Sequence, residues 1–418
     1  MPKIYLLDVT NRDGVQTSRL GLAKLEKTIL NMKLNEMGIF QSEFGFPVTN
    51  HELNYLNANL ELAKFGALRP IRLSGWIRAV KDDVDLAFKN VPELKHLNMS
   101  ISTSDQMING KFMGKKTRQD ITNTMVEALK TAKDLGAETV GVNAEDASRT
   151  DIDYLISFAL SAKENGADRI RYCDTLGYEN PITIYDRIHK LAYAVEMPIE
   201  LHCHNDLGLA VADSIAGAKA CVDAGQDAYI NTTINGIGER AGNADMLSVI
   251  LAIKKSSGFS DYVDCLQGID LKKSYKLAKY AAYAFKIPIP KNQVGVGDNA
   301  FAHESGIHAD GALKDRRNYE LYDCEDLGRG DLEFFETGRQ ITTGEYGGIK
   351  GFIHVMDKLC KDSNFCVEFA SDEEARRSLE LVRFANVHTQ KPLTEEELKF
   401  VVKYPAVAAK IMTVTPQF

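Results

Sequence analysis

The stretch LHCHNDLG, residues 201–208, decides how this chain is read. It places two histidines one residue apart inside an apolar run of extended character. Side chains alternate faces along a β-strand, so His202 and His204 project from the same side, close enough to share one divalent metal. Cys203 faces the other way and reads as core. A carboxylate suited to the same ion, Asp13, follows Arg12 just past the first apolar run, in YLLDVTNRDGVQ (residues 5–16). If both runs are parallel strands of one sheet, their C-terminal ends meet on one face, where α/β proteins place their chemistry.

The rest of the chain supplies that sheet. Strand-like segments fall at 3–10, 39–46, 71–78, 96–102, 139–146, 169–175, 198–205 and 228–235. Their starts are mostly about thirty residues apart, the length of a βα unit. The intervening segments TMVEALKTAKDLGAET (124–139) and ADSIAGAKACVDAGQDA (212–228) have apolar residues at helical spacing and stop at LG or AG. Eight such units predict an α/β fold, a closed (β/α)₈ TIM barrel over residues 1–283. A Pro-, Gly- and Asn-rich stretch, IPIPKNQVGVGDNAF (287–301), reads as the start of a linker and site-completing region over 284–365. A smaller, mainly helical C-terminal region over 366–418, with helices expected at 371–385 and 394–412, is expected to pack near the barrel mouth. The GVG at 295–297 lacks the spacing of a nucleotide loop.

Composition narrows the function. The 418 residues are 44% apolar and 26% charged with net charge -8, and the pI is ≈ 5.7. This acidic balance argues against nucleic acid as a partner. No apolar run approaches the ~20 residues of a membrane span, and the chain opens on a strand rather than a signal peptide. The seven cysteines show no CxxC spacing and read as reduced thiols of a cytoplasmic protein.

Polar side chains gather at the expected strand ends: Arg12, Asp13 and Gln16, then Glu43, Arg78 and Ser102, then Glu145, Asp146 and Arg149, then Asp174 and Thr175, His202 and His204, and finally Glu239, Arg240 and Asn243. A lone His-x-His is compatible with two satisfied core histidines, but a carboxylate on a neighbouring strand end favours a metal. Two imidazoles and a carboxylate suit Zn²⁺, Mn²⁺, Mg²⁺ or Fe²⁺ alike. Glu239 and Arg240 read equally well as an ion pair closing the barrel.

In order, RDGVQ, EDASRTD, DTLG, HCHNDLGLA, NGIGERAGN and HESGIHADG resemble the DRE-TIM metallolyases, in the branch that holds the 2-isopropylmalate, homocitrate and citramalate synthases. The resemblance runs from about residue 3 to 330. It implies Claisen condensation of acetyl-CoA with a 2-oxo acid on a divalent metal, with Mn²⁺ or Mg²⁺ ahead of Zn²⁺, Co²⁺ or Fe²⁺. Carried over by position, it makes Asp13, His202 and His204 the metal ligands, with Asn243 as a further one. It makes Arg12, Glu145, His308 and Tyr319 the catalytic set, and implies a homodimer in which the segment bearing His308 and Tyr319 completes the neighbour's site.

Departures from the branch pattern bear on the oxo acid. Asn11 and Val15 replace a common Leu and Glu, and Met107 stands where isopropylmalate synthases have a histidine. Gly141 occupies the position of an arginine that grips 2-oxoglutarate in some homocitrate synthases. TNRDGVQTSRLGLAKLEKT, QSEFGFP and NMSISTSDQMINGKFMG resemble the Re-face citrate synthases, an offshoot of this family. That resemblance implies oxaloacetate as substrate and entry to the tricarboxylic acid cycle. Arg78 and Arg149, with Gln16 and Thr175, are the candidates for binding it. The alternatives are 2-oxoglutarate, a 2-oxo acid of the isopropylmalate or citramalate type, and C–C bond cleavage like that of hydroxymethylglutaryl-CoA lyases.

Overall fold

The computed structural model describes residues 2–259, 266, 268–330, 345, 348–362, 365–367 and 369–414. Eight strands alternate with helices: Ile4–Asp8 (β1), Gln41–Gly45 (β2), Arg72–Arg78 (β3), His96–Ser102 (β4), Thr139–Glu145 (β5), Arg169–Asp174 (β6), Ile199–Cys203 (β7) and Ala228–Thr232 (β8). Between and after them lie Lys24–Met37 (α1), Leu53–Lys64 (α2), Lys81–Asn90 (α3), Asp105–Lys111 (α4), Arg118–Asp134 (α5), Ile152–Glu164 (α6), Pro181–Val195 (α7), Ala210–Asp223 (α8) and Met246–Lys255 (α9). Every strand pairs in parallel with its successor and β8 closes on β1, giving the barrel that the thirty-residue rhythm predicts. Local signals bound the helices. Thr117 and Asp120 form a capping box ahead of α5. Gly136 and Gly225 take the left-handed conformation just past α5 and α8.

Beyond the barrel come Ser274–Phe285 (α10), Gly306–Lys314 (α11), Ile349–Asp362 (α12), Asp372–Thr389 (α13), Glu395–Lys403 (α14) and Pro405–Met412 (α15). The single helix expected over 394–412 is two. Tyr404 leaves helical geometry at φ -127, ψ 58, and Pro405, with no N–H to donate, opens α15. The chain divides into two compact units, Met1–Gly21 with Lys33–Thr49 and Arg69–Gly330, and Leu22–Met32 with Asn50–Leu68 and Asp331–Phe418. Within the second, Lys27 bonds both oxygens of Glu52 at 2.9 Å and Lys410 reaches Glu61 at 3.1 Å.

Two expectations change. The segment 287–301 is tied down rather than a free linker: Val296 packs among Leu247, Leu251, Ala278 and Leu327, and Arg329 donates to the carbonyls of Gly295 and Gly297 at 2.9 Å. Cys360 and Cys366 are joined in a disulfide, because the end of α12 and the residues beyond it bring their Cα atoms to 4.4 Å. Cys173, Cys203 and Cys221 are buried thiols and Cys324 a half-buried one, while Cys265 lies outside the described residues. No helix among the described residues is long and apolar enough to cross a membrane.

The barrel interior is polar. Arg171 bonds Glu43 across the barrel and Glu200 on β7; Arg169 pairs with Glu200 and reaches Asn98 at 3.4 Å. Asn98 and Asn231 donate to Glu43 and Glu200, each at 2.7 Å. Burial alone would raise the Glu200 carboxyl, but Arg171 and Arg169 outweigh it and bring it down to about 2. An unfolded glutamate titrates near 4.5, so this stabilisation is complete above that pH and is lost as acid approaches pH 2. Glu200→Leu leaves buried guanidiniums short of a carboxylate and is expected to cost about 3–5 kcal/mol at neutral pH. The check is the urea-unfolding midpoint; a loss below about 1 kcal/mol would show that the network does not support the barrel.

Candidate active site

The turn after β1 positions Asp13. The Asp13 N–H donates to the Val9 carbonyl at 2.7 Å, and Thr10 bridges Asp8 on one side to the Ile234 N–H on the other. This holds the Asp13 carboxylate over the barrel mouth. His202, on β7, and His204, one residue past its end, place their Nε2 atoms 3.4 Å and 3.9 Å from Asp13 Oδ2. The two rings stand 5.0 Å apart and nearly perpendicular, and all three side chains are buried. Burial, with His202 beside it, pushes His204 down to about 3, leaving a neutral imidazole with a lone pair to give. Burial would raise the Asp13 carboxyl, but Arg12 and the histidines hold it well below the usual carboxylate range. A ligand atom from each residue lies within 4.8 Å of the others, a donor set that fits one divalent cation. Asn243 joins the cluster by donating to Asp13 Oδ2 at 2.7 Å, and its own Oδ1 is buried with no hydrogen-bond partner among the described residues.

Arg12 is locked from three sides. Its Nη1 meets Asp13 at 2.8 Å, its Nε meets Glu43 at 2.7 Å, and the guanidinium lies 5.6 Å from the centre of the Trp76 ring. Glu43 in turn is held ionised against its burial by Arg171 and Arg12.

Glu145, at the end of β5, accepts from Ser102 Oγ and from Lys111 Nζ, the latter at 2.5 Å. It lines a slot of about 450 Å³ with Trp76, Arg78, Phe112, Lys116 and Ile121. Arg78 is bidentate to Asp83, at 2.9 and 2.7 Å. Arg149 grips Asp146 at 2.7 Å and lines a separate groove with Arg118 and Arg187. The Thr175 hydroxyl accepts from the Asp146 N–H at 2.9 Å, and Gln16 closes the short turn after Asp13 with its N–H on the Asp13 carbonyl. Arg240 stands 3.8 Å from Glu239, the partner read from sequence, but its closer bonds go to Asp206 at 2.9 Å and the Thr175 carbonyl at 2.6 Å, tying three strand ends together.

His308, on α11, stacks on the Tyr319 ring at 4.2 Å, and both are exposed. Neither bonds to the barrel-mouth groups among the described residues. The fold thus gathers Arg12, Asp13, His202, His204 and Asn243 in one cluster, Glu145 with Ser102 and Lys111 in a second, and His308 with Tyr319 in a third. Sequence reasoning passed over Trp76 and Lys111. The only signal for Lys111 was its place in NGKFMGKK after β4, which a solvated basic loop would match equally well.

Known proteins place this arrangement. The family model described as HMGL-like matches residues 3–280, and one described as homocitrate synthase post-HMGL domain-like matches 296–344. A protein of Dehalococcoides mccartyi (strain CBDB1) named citrate (Re)-synthase is 60% identical over 417 residues, covering 100% of this chain and 99% of the relative. 2-Isopropylmalate synthase 2 of Caldanaerobacter subterraneus subsp. tengcongensis is 38% identical over 97% of each chain. The crystal structure of hydroxymethylglutaryl-CoA lyase from Pseudomonas aeruginosa shares the barrel, with a TM-score of 0.56 at 16% identity over 69% of this chain and 95% of that one. With the motifs in order, the barrel closed and the family model spanning most of its length, the chain belongs to the HMGL-like family, the DRE-TIM metallolyases.

Proposed function

We propose that this chain joins acetyl-CoA to oxaloacetate and, with water, releases citrate and CoA, as a divalent-metal-dependent acyltransferase of the Re-face type. The full-length 60% identity to a citrate (Re)-synthase carries the reading. Gly141 supports it against 2-oxoglutarate, because it offers no side chain where some homocitrate synthases carry an arginine, and the Asn98 amide oxygen fills the place a Cβ would take.

An ion held by Asp13, His202 and His204, Mn²⁺ or Mg²⁺ in this reading, supplies a Lewis acid beside the 2-oxo group. Arg12, already fixed by Glu43 and Asp13, presents its remaining N–H donors where the ketone oxygen gains charge. His308, oriented by Tyr319, takes a proton from the acetyl methyl group, and Glu145 serves the same acid–base set. The resulting carbon nucleophile adds to the ketone carbon, the alkoxide is protonated, and water hydrolyses the citryl thioester to free CoA.

A homodimer accounts for α11. No residue of that helix is buried; Ile307 is 77% and Leu313 88% exposed. Such apolar side chains call for a cover, and a partner subunit whose barrel mouth receives His308 and Tyr319 supplies one. In this reading the enzyme works in the cytoplasm at the entry to the tricarboxylic acid cycle.

CoA release from acetyl-CoA by purified protein is expected with oxaloacetate and added Mn²⁺ or Mg²⁺, and is expected to stop with chelator. Release only with 2-oxoglutarate or 2-oxoisovalerate would move the chain to a homocitrate or isopropylmalate synthase activity. Asp13→Ala and His202→Ala are expected to lose bound metal and turnover together, as measured by elemental analysis of the purified variants. His308→Ala is expected to keep its metal and lose turnover by roughly 10²–10⁴-fold; a near-normal rate would remove His308 from the proton transfer.

A further inference from the structure

We infer that Lys111 reads the distal carboxylate of a dicarboxylic 2-oxo acid, which makes the slot beside Glu145 the part of the site that selects the substrate. The inference rests on the oxaloacetate reading above and goes further by naming the residue that distinguishes this substrate from a monocarboxylate.

The slot adjoins the metal-ligand cluster through one wall. Trp76 lines it, the Arg12 guanidinium lies 5.6 Å from that ring, and Arg12 bonds Asp13 at 2.8 Å. Apolar side chains of Val80, Ile101, Phe112 and Ile121 make up much of the remaining wall. Glu145, the one carboxylate in the lining among the described residues, is 28% exposed and Lys111 50%, so solvent screens this pair only in part.

Four charged residues line it: Arg78, Lys111, Lys116 and Glu145. Arg78 is committed to Asp83 through two nitrogens. Lys116 is exposed and makes no hydrogen bond or salt bridge among the described residues. Arg149, the other arginine expected near the substrate, is occupied by Asp146 and lines the separate groove. Lys111 differs from all of these. Its ammonium sits on Glu145 Oε1 while half of its side chain remains accessible.

A 2-oxo acid with one carboxylate leaves the Lys111–Glu145 pair as it is. One with a second carboxylate brings another anion toward Glu145 between apolar walls, where like charges repel. An ammonium has three donors and can hold both carboxylates at once. Removing it therefore costs a dicarboxylate an attraction and exposes it to repulsion, while a monocarboxylate suffers neither loss.

The test compares oxaloacetate with 2-oxobutanoate, in which a methyl replaces the distal carboxylate. Wild type, Lys111→Met and Lys111→Arg are compared by kcat and KM. Quenching of Trp76, the chain's one tryptophan, is recorded as each oxo acid is added without acetyl-CoA. In Lys111→Met the preference for oxaloacetate over 2-oxobutanoate should fall roughly 10- to 100-fold, mainly in KM and in the quenching midpoint, and Lys111→Arg should recover most of it. Equal losses for the two acids, or an unchanged preference, would overturn the assignment. If wild type releases no CoA with oxaloacetate, the citrate reading fails by itself. Lys111 is then judged on quenching alone: saturable quenching by oxaloacetate that weakens in Lys111→Met upholds it, and quenching that is absent or indifferent to the substitution overturns it.

Discussion

The structure depends on a balance of charge inside a closed barrel. Asp13, Glu43 and Glu200 set three carboxylates against the guanidiniums of Arg12, Arg169 and Arg171, all of them buried. An isolated charge in that interior would cost several kcal/mol, on the order expected for any ion taken from water. Here each is met by an opposite partner and by amides such as Asn98 and Asn231. Barrels of this architecture are commonly filled with branched apolar residues. This one gives up part of that packing for a cross-barrel network linking β2, β6 and β7.

The network reaches the reactive face through one residue. Arg171 holds Glu43, Glu43 holds Arg12, and Arg12 holds Asp13 beside His202 and His204. A chain of charge-assisted bonds therefore runs from the barrel interior to the cluster of Asp13, His202 and His204. Each side chain in it has its orientation set before any ligand arrives. Such preorganisation favours charge that develops during reaction over charge that is merely bound. Arg240 does related work at the rim, where one guanidinium joins the loop after β6 to that after β7 from its own place after β8.

Glu145 and the segment around α11 contrast with that rigid core. Glu145 is reached from outside the network, by a serine on β4 and a lysine at the end of α4. Lys111 is half exposed, as the role inferred for it at the variable end of a substrate requires. His308, on α11, stacks on Tyr319 beyond the end of that helix, and α11 buries none of its residues.

Much of this was legible in the sequence. Period-two strands, helix caps and glycine stops are local, and all eight strands begin within two residues of where the pattern puts them. His202, His204 and Asp13 were legible because strand alternation and the common polarity of parallel strands bring them to one face without any knowledge of packing. The break at Tyr404–Pro405 was readable in principle, since proline was there to see, but the apolar period on both sides masked it. The pairing of Cys360 with Cys366 and the anchoring of 287–301 by Arg329 were not readable, for each depends on where the chain turns in space. The same holds for the partners of Glu43, which is bonded to residues more than fifty and more than a hundred positions away. The sequence by itself determined the barrel and the gathering of Asp13, His202 and His204 at one end of it, because these follow from periodicities of a few residues. Only the tertiary structure decided which buried charge meets which, and that Lys111 rather than Arg78 or Arg149 is the cation paired with Glu145. Those pairings are set by barrel closure, which brings together side chains that no local rule connects.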